Sequence, residues 1–123
     1  MEESFSNVRK AVICFQYVER VKSELIIAVK LLEKLDELEG DELAGAEKMM
    51  LAFLDALAGE ITIAHGVLEM QDFEEARKKI LDTTGKILSQ DYVGAMNNIS
   101  KAISSVTTSG SRAMQMLKEK NFL

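Results

Sequence analysis

The stretch VRKAVICFQYVERVKSELIIAVKLLEKLDEL, residues 8–38, decides the fold because it is the longest uninterrupted helical pattern in the chain. Every seventh residue from Arg9 to Glu37 is polar, whereas other columns with the same spacing are apolar. In the middle the apolar surface widens, since Lys30 alone interrupts the run LIIAVKLL at residues 25–32. A helix that is apolar around most of its circumference needs neighbours on several sides. We therefore expect a long central helix in a helical protein.

The composition of the whole chain also favours an all-α fold. The chain has 123 residues, 47% of them hydrophobic, and it contains no proline, which would break helix interiors. This length suits a single domain, residues 1–123, with a core that needs no disulfide. We predict a four-helix bundle built on a long antiparallel helical hairpin, with a short fifth helix at the C-terminus. The predicted helices lie near residues 8–39, 42–70, 73–89, 91–109 and from 112 onward.

Polar residues with capping character precede several of these helices. Ser6 or Asn7 is predicted to cap the first helix, and Asp91 the fourth. Asp72 followed three residues later by Glu75 has the spacing of a capping box for the third. The break between the fourth and fifth helices is predicted because residues 104–111 hold six hydroxyl residues and a glycine, which are poor helix formers.

The charge balance and the single cysteine exclude several classes of function. The net charge of -5 disfavours nucleic-acid binding, which depends on clustered basic residues. No run of 18 apolar residues and no apolar N-terminal segment is present, so we expect a cytoplasmic protein with no membrane contact. Cys14 is the only cysteine, and it lies on an apolar column of the first helix, where a buried inert thiol is expected. We expect no cofactor.

Small residues form a column on the second helix, at Gly45, Ala52, Gly59 and Gly66. Glycine costs about 1 kcal/mol relative to alanine in a helix interior, so three glycines at heptad spacing call for a compensating contact. Close approach of another backbone would supply it, either from the fourth helix or from a second copy in a homodimer. The alternative is an exposed face on which the glycines have no partner.

Three polar residues of the second helix are candidates for a site: Glu60, His65 and Glu69. His65 and Glu69 are one turn apart and could hold a metal ion together, but a simple surface pair explains them better. Glu60 falls among apolar positions, where a carboxylate is costly unless it is paired or reaches water at the rim.

A second carboxylate pattern resembles that of the all-helical nucleotide pyrophosphatases, Glu-x-x-Glu followed later by Glu-x-x-Asp. Here the matching residues are Glu39, Glu42, Glu69 and Asp72. The resemblance implies that such carboxylates would hold Mg²⁺. However, the two pairs stand at opposite ends of the second helix, about 40 Å apart at 1.5 Å per residue. They cannot share one metal ion within a single chain.

The function predicted from sequence is therefore association rather than catalysis. We expect a non-enzymatic helical protein that mediates protein–protein association, as a homodimer or as a scaffold or adaptor for another protein. The alternative is a small-molecule or divalent-metal binder, or a pyrophosphatase-like hydrolase that uses acidic residues. Converging carboxylates would favour the alternative, and an uncovered apolar helix face would favour association.

Overall fold

The computed structural model describes residues 8–122, and in that range the chain is helical almost throughout and has no strand. The helices are α1 (Val8–Leu35), α2 (Gly40–Leu68), α3 (Gln71–Leu88) and α4 (Tyr92–Glu119). The all-α class is confirmed, and four predicted helices are found: the first three have bounds within four residues of the prediction, and the fourth extends to Glu119 rather than to residue 109. The predicted cap at Ser6 or Asn7 lies outside the described residues.

The predicted fifth helix is wrong, because α4 continues without a break through residues 104–111. Hydroxyl groups in this stretch bond along the helix, as where Thr108 Oγ1 donates to the Ser104 carbonyl oxygen at 3.0 Å. Ser109 is fully buried, and its hydroxyl donates to the Asp72 carboxylate of α3 at 2.8 Å. Burial and bonding of these groups outweigh their low intrinsic helix propensity.

Gly110 explains how α4 comes close to α1 in the same stretch. A Cβ atom added to Gly110 would lie 2.7 Å from Val18 Cγ1 of α1, closer than real side chains approach. The missing side chain therefore permits the contact between these helices. The propensity cost of glycine, about 1 kcal/mol, is offset by the packing that it allows.

The helix contacts form a closed ring. α1 lies against α2 and α4, and α3 lies against α2 and α4, whereas in residues 8–122 the backbones of α1 and α3 are not neighbours, nor are those of α2 and α4. Each helix contributes one buried stripe to a common core. Its largest fully buried side chains include Leu25, Leu32, Leu54, Ile61, Phe73 and Ile99.

The helix ends agree with the sequence only in part. Asp91 caps α4 as predicted, since its side chain accepts from the Gly94 amide at 2.9 Å. The capping box at Asp72 is wrong, because α3 begins at Gln71 with Met70 as its N-cap. Asp72 instead faces α4, where it accepts from Ser109 and lies 3.6 Å from Arg112.

Candidate association surface

Helix α2 carries two apolar stripes on opposite sides. The inner stripe is buried in the core and consists of Met50, Leu54, Leu57, Ile61, Ala64 and Leu68. The second stripe, here called the outer stripe, consists of Gly45, Met49, Ala52, Ala56, Gly59, Ile63 and Gly66, and all seven are exposed. Steps of four and three residues alternate along both stripes, so each follows one line of the helix. The outer stripe contains no charged residue.

The small column predicted from sequence supplies four of the seven residues of the outer stripe. Ala52 is exposed, and a Cβ atom added to Gly45, Gly59 or Gly66 would meet nothing within 4 Å. Packing of this column beneath the fourth helix is therefore wrong. Its role in an interface with a second copy stays a prediction.

This exposed face of α2 also carries large apolar side chains. Met49 is 73% exposed, Ile63 62% and Val67 53%. Beside Met49 an apolar groove of about 460 Å³ opens between the end of α1 and the start of α2, lined by Leu31, Lys34, Leu35, Leu38, Ala46, Met49, Met50 and Phe53. One turn before Leu31, Ile27 is 47% exposed. Monomeric proteins rarely expose contiguous apolar surface of this kind without using it.

A charged cluster lies beside this surface, between α1 and α2. Arg20 of α1 forms an ion pair with Glu60 of α2, whose side chain is 20% exposed. Glu24, one turn after Arg20, also faces Glu60, and the Oε1 atoms of both glutamates are shielded from solvent. The sequence left pairing and access to water at the rim as the two ways to accommodate Glu60, and here Glu60 is paired with Arg20 and partly exposed.

Burial raises the pKa of Glu24 above its ordinary value, and the nearby Glu60 carboxylate raises it further. Arg20 acts in the opposite direction, and a hydrogen bond with Glu60 again raises the Glu24 pKa. The pair therefore destabilises the folded protein at neutral pH, and this destabilisation disappears in acid.

Glu24→Gln is expected to raise the melting temperature at pH 7 by a few degrees. The raised pKa means that folded Glu24 binds its proton more tightly than unfolded Glu24. Its contribution to stability is therefore fully present below the unfolded pKa of about 4.5 and is lost as the pH rises through the folded pKa. Glutamine mimics the protonated form, so the gain over the native protein should vanish near pH 4.

Thermal melts of native protein and Glu24→Gln between pH 4 and pH 8 measure this difference. Glu33→Gln, at an exposed position of the same helix, is the matched control and should not reproduce the rise in melting temperature at pH 7. A Glu24→Gln curve parallel to the native one at every pH would show that the glutamate pair does not couple stability to protonation.

The other polar candidates do not join this cluster. His65 lies on the α3 side of α2, where its Nδ1 donates to the Met70 carbonyl oxygen at 3.0 Å. A positive charge on His65 would lower the pKa of Glu74 in α3. Glu69 is exposed at the C-terminal end of the helix, in a left-handed conformation with φ 54°. Glu60, His65 and Glu69 therefore do not converge on one site.

Metal-binding geometry does not arise among the described residues. No group of three or more histidine, cysteine, aspartate or glutamate side chains is placed to hold an ion in residues 8–122. Glu39 is the N-cap of α2 and Glu69 its C-cap, so a helix of 29 residues, about 43 Å long, separates the two acidic pairs. This spacing agrees with the separation expected from sequence.

Some residues of these surfaces were missed from sequence. The column Gly45, Ala52, Gly59 and Gly66 was recognised, but Met49, Ala56 and Ile63, which complete the outer stripe, were not. Their alternating spacing with the glycines was the signal that could have revealed them. Glu24 was also missed, because nothing in the sequence shows which α1 residue faces Glu60.

Comparison with known proteins yields no matching family, no similar curated protein and no similar solved structure. Among the described residues, α2 alone is long and apolar enough to cross a membrane, and 33% of that apolar segment is buried inside the protein. Core helices pass the same test of length and composition, so this is weak evidence.

Proposed function

We propose that this protein functions by association, as a cytoplasmic homodimer that joins through the outer stripe of α2. The single observation that carries the proposal is the exposed apolar face of α2, with Met49 and Ile63 more than 60% exposed. Water contact of such surface is unfavourable by about 25 cal/mol per Å², so covering it stabilises an assembly. A catalytic role has less support, since the candidate carboxylates are dispersed.

The proposed architecture is a four-helix bundle built on a long antiparallel hairpin of α1 and α2. Contacts between helix ends support it. The Tyr92 hydroxyl at the start of α4 donates to Glu47 near the start of α2, and burial with this bond raises the pKa of Tyr92 to about 12. Near the other end, Cys14 Sγ of α1 lies 3.8 Å from the Ser109 carbonyl oxygen, late in α4.

A second candidate function is binding of an apolar small molecule in the groove between α1 and α2. The groove volume of about 460 Å³ is within the range of small-molecule sites. Its lining is apolar except for Lys34, which lies 3.4 Å from Glu37. Convergent polar groups that would orient a ligand are scarce there, so we rank this function below self-association.

The association proposal predicts a melting temperature that depends on protein concentration. Dimerisation stabilises the folded chain by mass action, so a hundredfold increase in concentration should raise the melting temperature by several degrees. Calorimetry between about 1 and 100 μM measures the shift. A melting temperature that is constant over this range would contradict a dimer that dissociates on unfolding.

A further inference from the structure

We infer that two copies pair through their outer stripes with the two α2 helices antiparallel, so that Met49 of one copy lies against Gly66 of the other. The inference rests on the proposed function, and it specifies the partner and the geometry. In this pairing Ala56 lies against Gly59 of the second copy, and Ile63 lies against Ala52 of the second copy. A twofold axis relates the two helices.

The sizes of the side chains select the antiparallel direction. Along the outer stripe, Met49 and Ile63 are large, whereas the other five positions are glycine or alanine (Gly45, Ala52, Ala56, Gly59, Gly66). Parallel helices in register would place Met49 against Met49 and glycine against glycine, which creates both crowding and voids. Antiparallel helices place each larger residue against a glycine or alanine, so the backbones can approach closely.

The charges beside the stripe select the register. In the pairing inferred here, Lys48 of each copy lies beside Glu69 of the other, which gives two symmetric ion pairs. A register with Ile63 against Gly59 of the second copy overlaps the two helices over fewer residues. Another antiparallel register that sets large against small places Met49 against Gly59. It brings Asp55 of both copies together at the twofold axis, where like charges repel. Lys48, Asp55 and Glu69 are all exposed and available for these contacts.

The available area agrees with a stable dimer. Helix α2 has 29 residues and is about 43 Å long, so its outer face alone offers roughly 400 Å² per copy. The twofold axis places both α1 helices on the same side of the paired α2 helices, which directs Ile27 and Leu31 of each copy toward the other. The α2 face thus supplies about half of the standard size of about 800 Å² per partner, and contacts of α1 add to it.

A lipid surface fits the same face less well. Helices that lie in a membrane interface bury large side chains and carry basic residues beside them. Here five of the seven outer-stripe positions are glycine or alanine. The exposed charged residues of α2 are acidic except for Lys48. Small residues gain little from lipid but permit close approach of a helix, which favours a second copy.

Charge reversal tests the pairing without disturbing the fold, because both positions are exposed. Lys48→Glu and Glu69→Lys should each raise the dissociation constant of the dimer roughly tenfold, through loss of attraction and gain of repulsion. The double variant Lys48→Glu with Glu69→Lys should restore the native value. The two residues are 21 positions apart on α2, about 31 Å, so restoration requires contact between copies.

The matched control is the double variant Lys48→Glu with Asp55→Lys. Asp55 of one copy does not face Lys48 of the other in this pairing, so this double variant should still associate more weakly than the native protein. Sedimentation equilibrium of each variant measures the dissociation constants. If the native protein dimerises but the first double variant restores nothing, the antiparallel pairing is wrong and self-association stands. If the native protein is monomeric and instead binds phosphatidylcholine and phosphatidylglycerol vesicles, both the pairing and the proposed function are overturned.

Discussion

Ile63→Glu is expected to abolish self-association and to leave the folded monomer intact. Ile63 is 62% exposed in the single chain, so a glutamate there costs the monomer little. In the dimer two carboxylates would be buried without partners, each at a cost of several kcal/mol. The dissociation constant should rise at least a thousandfold, or about 4 kcal/mol. Light scattering at about 50 μM should then report a monomer.

Leu81→Glu is the matched control for this variant. Leu81 is a large apolar residue of α3 that is 49% exposed, and it lies outside the outer stripe and the groove. Its replacement introduces the same charge and should leave the dimer unaffected. If both variants dissociate the dimer equally, the exposed face of α2 is not the interface. If neither does, another surface holds the copies together.

Gly59→Leu is expected to have opposite effects on the monomer and on the dimer. No atom lies within 4 Å of a Cβ placed on Gly59, so leucine fits the single chain and should stabilise α2 by about 1 kcal/mol through its helix propensity. In the inferred dimer, leucine would collide with Ala56 of the second copy. Overpacking at two symmetric sites costs roughly 2–6 kcal/mol, so the dissociation constant should rise about a hundredfold or more.

Gly85→Leu provides the comparison for Gly59→Leu. Gly85 is an exposed glycine of α3, and a Cβ atom there would also meet nothing within 4 Å. Both variants gain the same helix propensity, but Gly85→Leu should not alter association. Urea unfolding at low concentration and sedimentation at high concentration separate the two effects. A Gly59→Leu protein that dimerises like the native one would show that the glycines face water in the assembly.

The helices themselves could be predicted from sequence because their signal is local. The heptad columns of residues 8–38 identified α1, and the polar residue Asp91 identified the start of α4. The predicted break at residues 104–111 failed because local propensity cannot show that Ser109 bonds to Asp72 or that Gly110 packs on Val18. Both contacts join residues that are distant in sequence, and both favour a continuous helix.

The candidate association surface was less predictable than the helices, because it depends on contacts between residues that are distant in sequence. The spacing of Gly45, Ala52, Gly59 and Gly66 was visible, but whether that column faced the core or solvent depends on how α2 rotates against its neighbours. Periodicity alone does not fix that rotation, because α2 is apolar on two opposite sides. The pairing of Glu60 with Arg20 likewise depends on how α1 and α2 are aligned.

Sedimentation equilibrium of the native protein at micromolar concentration tests the central claim most directly. Each chain has a mass of 13.7 kDa, and association through the outer stripe predicts a species of about twice that mass that dissociates on dilution. A single species of 13.7 kDa at every concentration up to about 100 μM would contradict self-association, and with it the antiparallel pairing of α2.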